Sequence, residues 1–241
     1  TDAWRTPFKI DPFAVKLDRK LDLLLSVNDV LKRRKEIRVA ESSMTFIRTR
    51  KLFVSTEGAV IEQDLMESGA GCVATAVDGG EMQRRSYPNS FGGDYGTGGY
   101  EIVEGLRLGE HAETVREEAV ELLTAPAMPA GRFDVVIGGS QVALQIHESC
   151  GHPAELDRVL GTEISLAGGS FLTLDKAGTF RYGSDLVTIT ADATLPGALG
   201  TFGYDDEGVP AQRFPIVADG MFVGFLGSRE TAVAIGGRSN G

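Results

Sequence analysis

The sequence predicts an α+β protein with antiparallel sheets and few helices, divided into two units at residues 1–127 and 128–241. Three observations carry this expectation. An opening segment places apolar residues mostly three or four positions apart, which is helical spacing. Short β-rich runs separated by turn signals fill much of the chain after that segment. Near the middle, Ala125-Pro126-Ala127-Met128-Pro129-Ala130-Gly131 combines proline with small residues and marks a linker.

The opening helix comes after Asp11-Pro12 and carries Phe13, Val15, Leu17, Leu21, Leu24, Leu25, Val27, Val30 and Leu31, with an end expected near Arg34. Its cations Lys32-Arg33-Arg34-Lys35 suit the negative end of a helix dipole. The β-rich runs are Ile37–Val39, Met44–Thr49, Lys51–Ser55, Val60–Leu65 and Gly71–Val77, with turns at Glu57-Gly58 and Asp78-Gly79-Gly80. Successive hairpins are therefore expected, covered by the opening helix and a second amphipathic helix over about Glu110 to Leu123. The glycine-rich stretch from Phe91 to Tyr100 lacks Gly-Lys-Ser/Thr and has no obvious helix after it, so it reads as a mobile loop and not a phosphate cradle. In the second unit, Phe133–Ile137 is expected as a strand, Ser140 as a helix N-cap, and Phe171–Leu174, Leu186–Thr190, Phe214–Val217 and Met221–Phe225 as further strands. This unit is expected to be β-rich.

Of 241 residues, 42% are apolar and 31 are glycine, the composition of an ordinary folded chain. The net charge of −10 argues against direct nucleic-acid binding, which needs clustered Lys and Arg. Two cysteines, Cys72 and Cys150, make no disulfide framework and point to the cytoplasm. Neither an apolar run of membrane-spanning length nor a charged-then-apolar leader is visible.

The densest chemistry lies in His147-Glu148-Ser149-Cys150-Gly151-His152, which uses two of the three histidines. Imidazoles are common Zn²⁺ ligands, and a glutamate beside one of them can take a proton from water activated by the ion. Spacing of five sets the two imidazoles about 140° apart on a regular α-helix, so a regular helix cannot present both. Either a π-bulge absorbs the extra residue or the helix ends between the histidines. Gly151 and Pro153 favour such a break, with His152 at it. A catalytic zinc takes three protein ligands, and Glu155, Asp157 and Cys150 are candidates for the third. Glu155 and Asp157 are also candidates to orient a histidine, or to pair with Arg158. His111 reads as a surface histidine, and Asp205-Asp206-Glu207-Gly208 as a solvated turn. The segment Ile164 to Phe171 is a candidate strand edge for holding an extended peptide.

The run from His147 to Arg158 resembles the TldD/PmbA family, once called modulators of DNA gyrase. Similarity extends to Gly203–Arg213, to Asp219–Gly224 and to the order of helix, hairpins and linker. The resemblance implies a two-part TldD/PmbA-like architecture and a cytoplasmic zinc metallopeptidase acting on unfolded or flexible peptides. It implies His147 and His152 as zinc ligands and Glu148 as general base. It also implies a dimer, either of like subunits or with a PmbA/TldE-like paralogue; no membrane partner is expected, since no apolar run is long enough to span one. The family's third ligand is a downstream cysteine, and no cysteine follows Cys150. The expectation is thus a fragment lacking N- and C-terminal parts, with the alternative that it is a non-catalytic peptide-binding or scaffold subunit holding no metal.

Overall fold

The β-rich runs between residues 37 and 78 merge into one long hairpin. This computed structural model describes residues 1–240; Gly241, the last residue of the expected second unit, lies outside the described residues. Strand β1 spans Asp2–Arg5, helix α1 Leu17–Leu31, β2 Ile37–Val54 and β3 Val60–Asp78. Then come β4 (Glu81–Tyr87), β5 (Asp94–Thr97), α2 (Glu101–Leu106) and α3 (Leu108–Glu121). The polar and glycine residues that punctuate the apolar runs predict separate short hairpins, and the structure corrects this. Residues 66–70, between two of the expected runs, continue β3: the Ser68 hydroxyl donates to the Gly98 carbonyl at 2.9 Å, and a Cβ on Gly69 would overlap the Tyr95 ring. Both residue types answer a close neighbour within the sheet.

Strand β3 is the centre of this sheet. Along one edge β2 pairs with it antiparallel from Val54↔Val60 to Ile37↔Ala76. Along the other edge, β1 pairs in parallel with residues 61–64, β5 antiparallel with 67–70, and β4 antiparallel with 72–78. Helices α1 and α3 cover one face, where Val27, Leu31, Ala70, Ala74, Val103, Leu108 and Val115 form a buried cluster. The opening helix starts at Leu17, later than Phe13, because Asp11 turns the chain through its side chain to the Phe13 amide (2.8 Å) and its carbonyl to the Ala14 amide (3.1 Å).

The glycine-rich stretch is not a free loop. It contains β5, and a Cβ on Gly96 would overlap the Gly197 carbonyl, while one on Gly99 would overlap the Ile10 carbonyl. A helix does come after it, contrary to expectation. The space at that helix start is taken by the chain's own Glu101, whose carboxylate accepts the amides of Lys9 (2.9 Å), Ile10 (2.9 Å) and Gly99 (3.0 Å). A phosphate has no place there.

The later part contains helix α4 (Gly139–Ile146), a π-helical turn (His147–Gly151), short helices α5 (His152–Ala154) and α6 (Leu156–Leu160), and strands β6 (Ile189–Asp192), β7 (Arg213–Ala218) and β8 (Met221–Phe222). The three strands form an antiparallel sheet in that order. Cys150, Ala154, Leu156, Leu172, Ile216, Val217, Phe222 and Phe225 make its buried cluster. Phe133–Ile137 forms no strand, since no neighbour among the described residues pairs with it, and its apolar side chains stand exposed. Phe171–Leu174 is likewise no strand, and a 3₁₀ turn occupies Leu174–Lys176. Residues 195–208 lie on the first sheet, where the buried Gln63 side chain accepts the Gly203 and Tyr204 amides (3.2 and 2.9 Å) and donates to the Tyr204 carbonyl (2.8 Å).

Candidate metal centre

The motif solves its spacing problem with a wide turn. The amide of His152 bonds to the carbonyl of His147, five residues back, and the backbone from His147 to Gly151 is π-helical. Five residues per hydrogen-bonded turn bring the two histidines onto one side. Their rings lie edge to face with centroids 4.3 Å apart, and ligand-type atoms of His147, Glu148 and His152 all fall within 4.8 Å of one another. Of the two sequence alternatives, the π distortion is the one found. His152 itself remains helical (φ −55, ψ −44), and the break comes at Glu155 (ψ 121). Pro153 stands in the first turn of α5, where a proline is tolerated because its missing amide has no partner to lose.

His147 and Glu148 are exposed, with side-chain accessibilities of 60% and 63%, and Nε2 of His147 stands 3.9 Å from Oε1 of Glu148. His152 is half-buried, with Nδ1 2.9 Å from Oε1 of Glu155. Against an ionised carboxylate Nδ1 is the donor, which in a neutral imidazole leaves on Nε2 the lone pair that a metal requires. Glu155 is anchored in turn by Nε of Arg158 at 3.5 Å, and Arg158 reaches Glu163 at 3.7 Å. Two imidazoles side by side are donors of the type a zinc ion takes, with the Glu148 carboxylate within reach beside them.

The candidates for a further ligand do not join this group. Glu155 orients His152 and pairs with Arg158, so both roles anticipated for it coexist. Asp157 turns its carboxylate to the Arg158 amide at 2.7 Å. Cys150 points the other way, fully buried in the second cluster. Burial pushes its thiol pKa up, with a nearby Tyr182 hydroxyl acting in the opposite direction. On the π turn Cys150 falls away from the histidine face.

One residue near the motif has no local sequence signal. Tyr182 lies 33 residues away and donates its hydroxyl to the Ser149 carbonyl at 2.8 Å. Burial, then Cys150 beside it, raises its pKa to about 12, so the hydroxyl stays protonated and donates.

The other predicted features lie elsewhere. His111 stacks on Tyr87 with ring centroids 4.0 Å apart, on the first sheet. In the acidic turn, Asp205 accepts the Glu207 and Val209 amides, Asp206 pairs with Lys51 at 2.6 Å and Glu207 accepts the Arg229 amide. Ile164 to Phe171 is not a strand edge: the Ile164, Leu166 and Ala167 amides bond to Gly161 and Glu163 carbonyls within the same turn. No helix among the described residues is long and apolar enough to cross a membrane.

The chain resembles known proteins over nearly its whole length. Residues 10–125 match the PmbA/TldA metallopeptidase central domain, and residues 130–241 its C-terminal domain. A metalloprotease of Methanothermobacter thermautotrophicus is 37% identical over 184 residues, covering 76% of this chain and 37% of that protein. One from Archaeoglobus fulgidus is 31% identical over 235 residues, covering 97% and 51%. A metalloprotease TldD homolog of Haemophilus influenzae is 29% identical over 228 residues, covering 93% and 45%. Among solved structures, a protein of Thermotoga maritima described as a modulator of DNA gyrase superposes with TM-score 0.74 at 19% identity, covering 97% of this chain and 50% of that one. TldE of Thermococcus kodakarensis superposes with TM-score 0.58 at 16% identity, covering 98% and 52%. The chain thus spans about half the length, or less, of the relatives it matches. Two adjoining domains of one family, matched in order across nearly all its residues, establish that this chain belongs to the PmbA/TldD metallopeptidase family.

Proposed function

We propose that this chain carries the zinc-binding and proton-transfer residues of a peptidase that hydrolyses unfolded or flexible peptides. The observation that carries the reading is the convergence of His147, Glu148 and His152 within 4.8 Å on an exposed π turn. A zinc ion held by Nε2 of the two histidines would supply Lewis acidity to the scissile carbonyl and to the attacking water. Glu148 takes a proton from that water and passes it to the departing amine. Glu155 keeps His152 in the ligating tautomer. The exposure of His147 and Glu148 leaves a peptide backbone room to approach.

Equilibrium dialysis against Zn²⁺ tests the reading. One equivalent retained by the chain, and none by His147→Ala, is expected. No retention by the unaltered chain overturns it.

We further propose that residues 1–127 and 128–241 act as two units, the second bearing the chemistry. The adjoining family matches and the two separate buried clusters support this division. Pairing with a like subunit or a TldE-type subunit is supported by the TldE superposition. Two free cysteines support a cytoplasmic setting.

A second reading has its own observation. Among the described residues no third protein ligand joins the histidines once Glu148 is reserved as base. That favours a metal-free peptide-binding or scaffold subunit, and the dialysis separates the two.

A further inference from the structure

We propose that Tyr182 is the positioning residue that holds the π turn of the motif open, so that His147 and His152 face the same side. The inference rests on the metal-site reading for its consequence, although the contact itself does not.

The argument starts from Pro153. In an ordinary α ladder the amide of residue 153 would bond to the carbonyl of Ser149, and proline has no amide hydrogen to give. One residue earlier, the His152 amide has reached back to His147 in the π pattern. Ser149 therefore carries a carbonyl without its α-ladder donor, at the point where the chain changes from five-residue to tighter spacing. An unserved carbonyl invites the turn to reorganise or to admit water. The Tyr182 hydroxyl occupies that place at 2.8 Å.

Tyr182 is itself held from behind. Its amide donates to the Gly220 carbonyl at 2.8 Å, the Gly183 amide donates to the same carbonyl at 3.2 Å, and Arg181 bridges Met221. Its ring meets Phe180 edge to face at 6.5 Å. The tip of the β7–β8 hairpin thus sets where the hydroxyl sits, and the hydroxyl fixes the turn from the side opposite the histidines. Cys150, next along the turn, buries its thiol beside the same hydroxyl.

Tyr182→Phe keeps the ring and removes the donor, so packing is largely preserved. Hydrogen exchange of the metal-free chain reads the turn directly. The His152 amide is expected to exchange about five- to tenfold faster in the variant, the scale of one lost hydrogen bond, with β7 amides unchanged. Co²⁺ titration of the same two proteins is expected to show about tenfold weaker binding in the variant. Unchanged His152 exchange overturns the proposal, as does faster exchange in β7 as well, which would mark a general loss of packing. Equal Co²⁺ affinity overturns its consequence for the histidines. Faster exchange confined to the turn, with no Co²⁺ bound by either protein, supports the positioning role and overturns the metal-site reading instead.

Discussion

Glu155 Oε1 lies 2.9 Å from Nδ1 of His152, three residues before it, across the break between α5 and α6. The contact converts a flexible imidazole into one with a defined tautomer and direction. Replacing Glu155 with Gln keeps an acceptor but removes the charge that makes the imidazole a better donor to a metal. Zinc affinity measured by competition with a chelating dye is expected to fall about 10- to 100-fold, the usual effect of removing a ligand's supporting carboxylate. An unchanged affinity would mean that the Glu155 contact does not tune His152 as a ligand.

Cys150 makes the opposite prediction. It sits inside the motif yet faces the buried cluster, beside Leu156, Phe222 and Phe225. Cys150→Ala is expected to leave zinc affinity within about twofold while lowering stability by about 1 kcal/mol for the lost burial, read by urea unfolding. A large loss of zinc affinity at unchanged stability would place the thiol on the metal.

How far the sequence revealed this site depends on the range of each interaction. The histidines, the glutamate and the need for a distorted helix were legible because spacing and helical period settle them within six residues. Glu155 was visible only as one of several acidic neighbours. Tyr182 was not visible at all, since its contact depends on where a distant hairpin tip lies. The same limit governs the fold. Periodicity marked α1 and α3, while residues 66–70 fell between two expected strands because the partners of Ser68 and Gly69, Gly98 and Tyr95, come from a later part of the chain. Phe133–Ile137 shows the converse: strand composition with no neighbouring strand among the described residues to pair with.

Glu101 makes acid stability measurable. Burial alone would raise its carboxyl pKa, but the Lys9, Gly99 and Ile10 amides outweigh burial and hold it below the ordinary value. A carboxyl depressed in the folded state contributes stability above its unfolded pKa, about 4.3, and loses it as pH falls through the folded value. Glu101→Gln is therefore expected to lower the melting temperature at pH 7 and to flatten its fall below about pH 4.3. Identical pH profiles for both proteins would remove Glu101 from the linkage.

Gly220 couples backbone geometry to the site. Its φ is +77, and a Cβ there would overlap the Ser184 carbonyl. Gly220→Ala meets strain and a fixed backbone atom together, at a cost of about 1–3 kcal/mol read by chemical denaturation. Because the same glycine's carbonyl receives the Tyr182 amide, His152 amide exchange is expected to quicken in parallel. Destabilisation without that local change would show that the hairpin tip and the π turn are independent.

Glu148 separates binding from chemistry. It is exposed, and it stands 3.9 Å from His147 rather than in a ligand-orienting contact like that of Glu155. An exposed carboxylate beside the two proposed zinc ligands suits proton transfer, and an amide of the same shape cannot accept the proton. Glu148→Gln is expected to retain zinc within about threefold while peptide cleavage falls about 10²- to 10⁴-fold, the range for removing a general base. The pair of measurements, zinc content and turnover on an unstructured peptide, is made on the same preparation of whichever assembly cleaves. Loss of zinc together with activity would make Glu148 a ligand, and the base would then have to be sought on another residue.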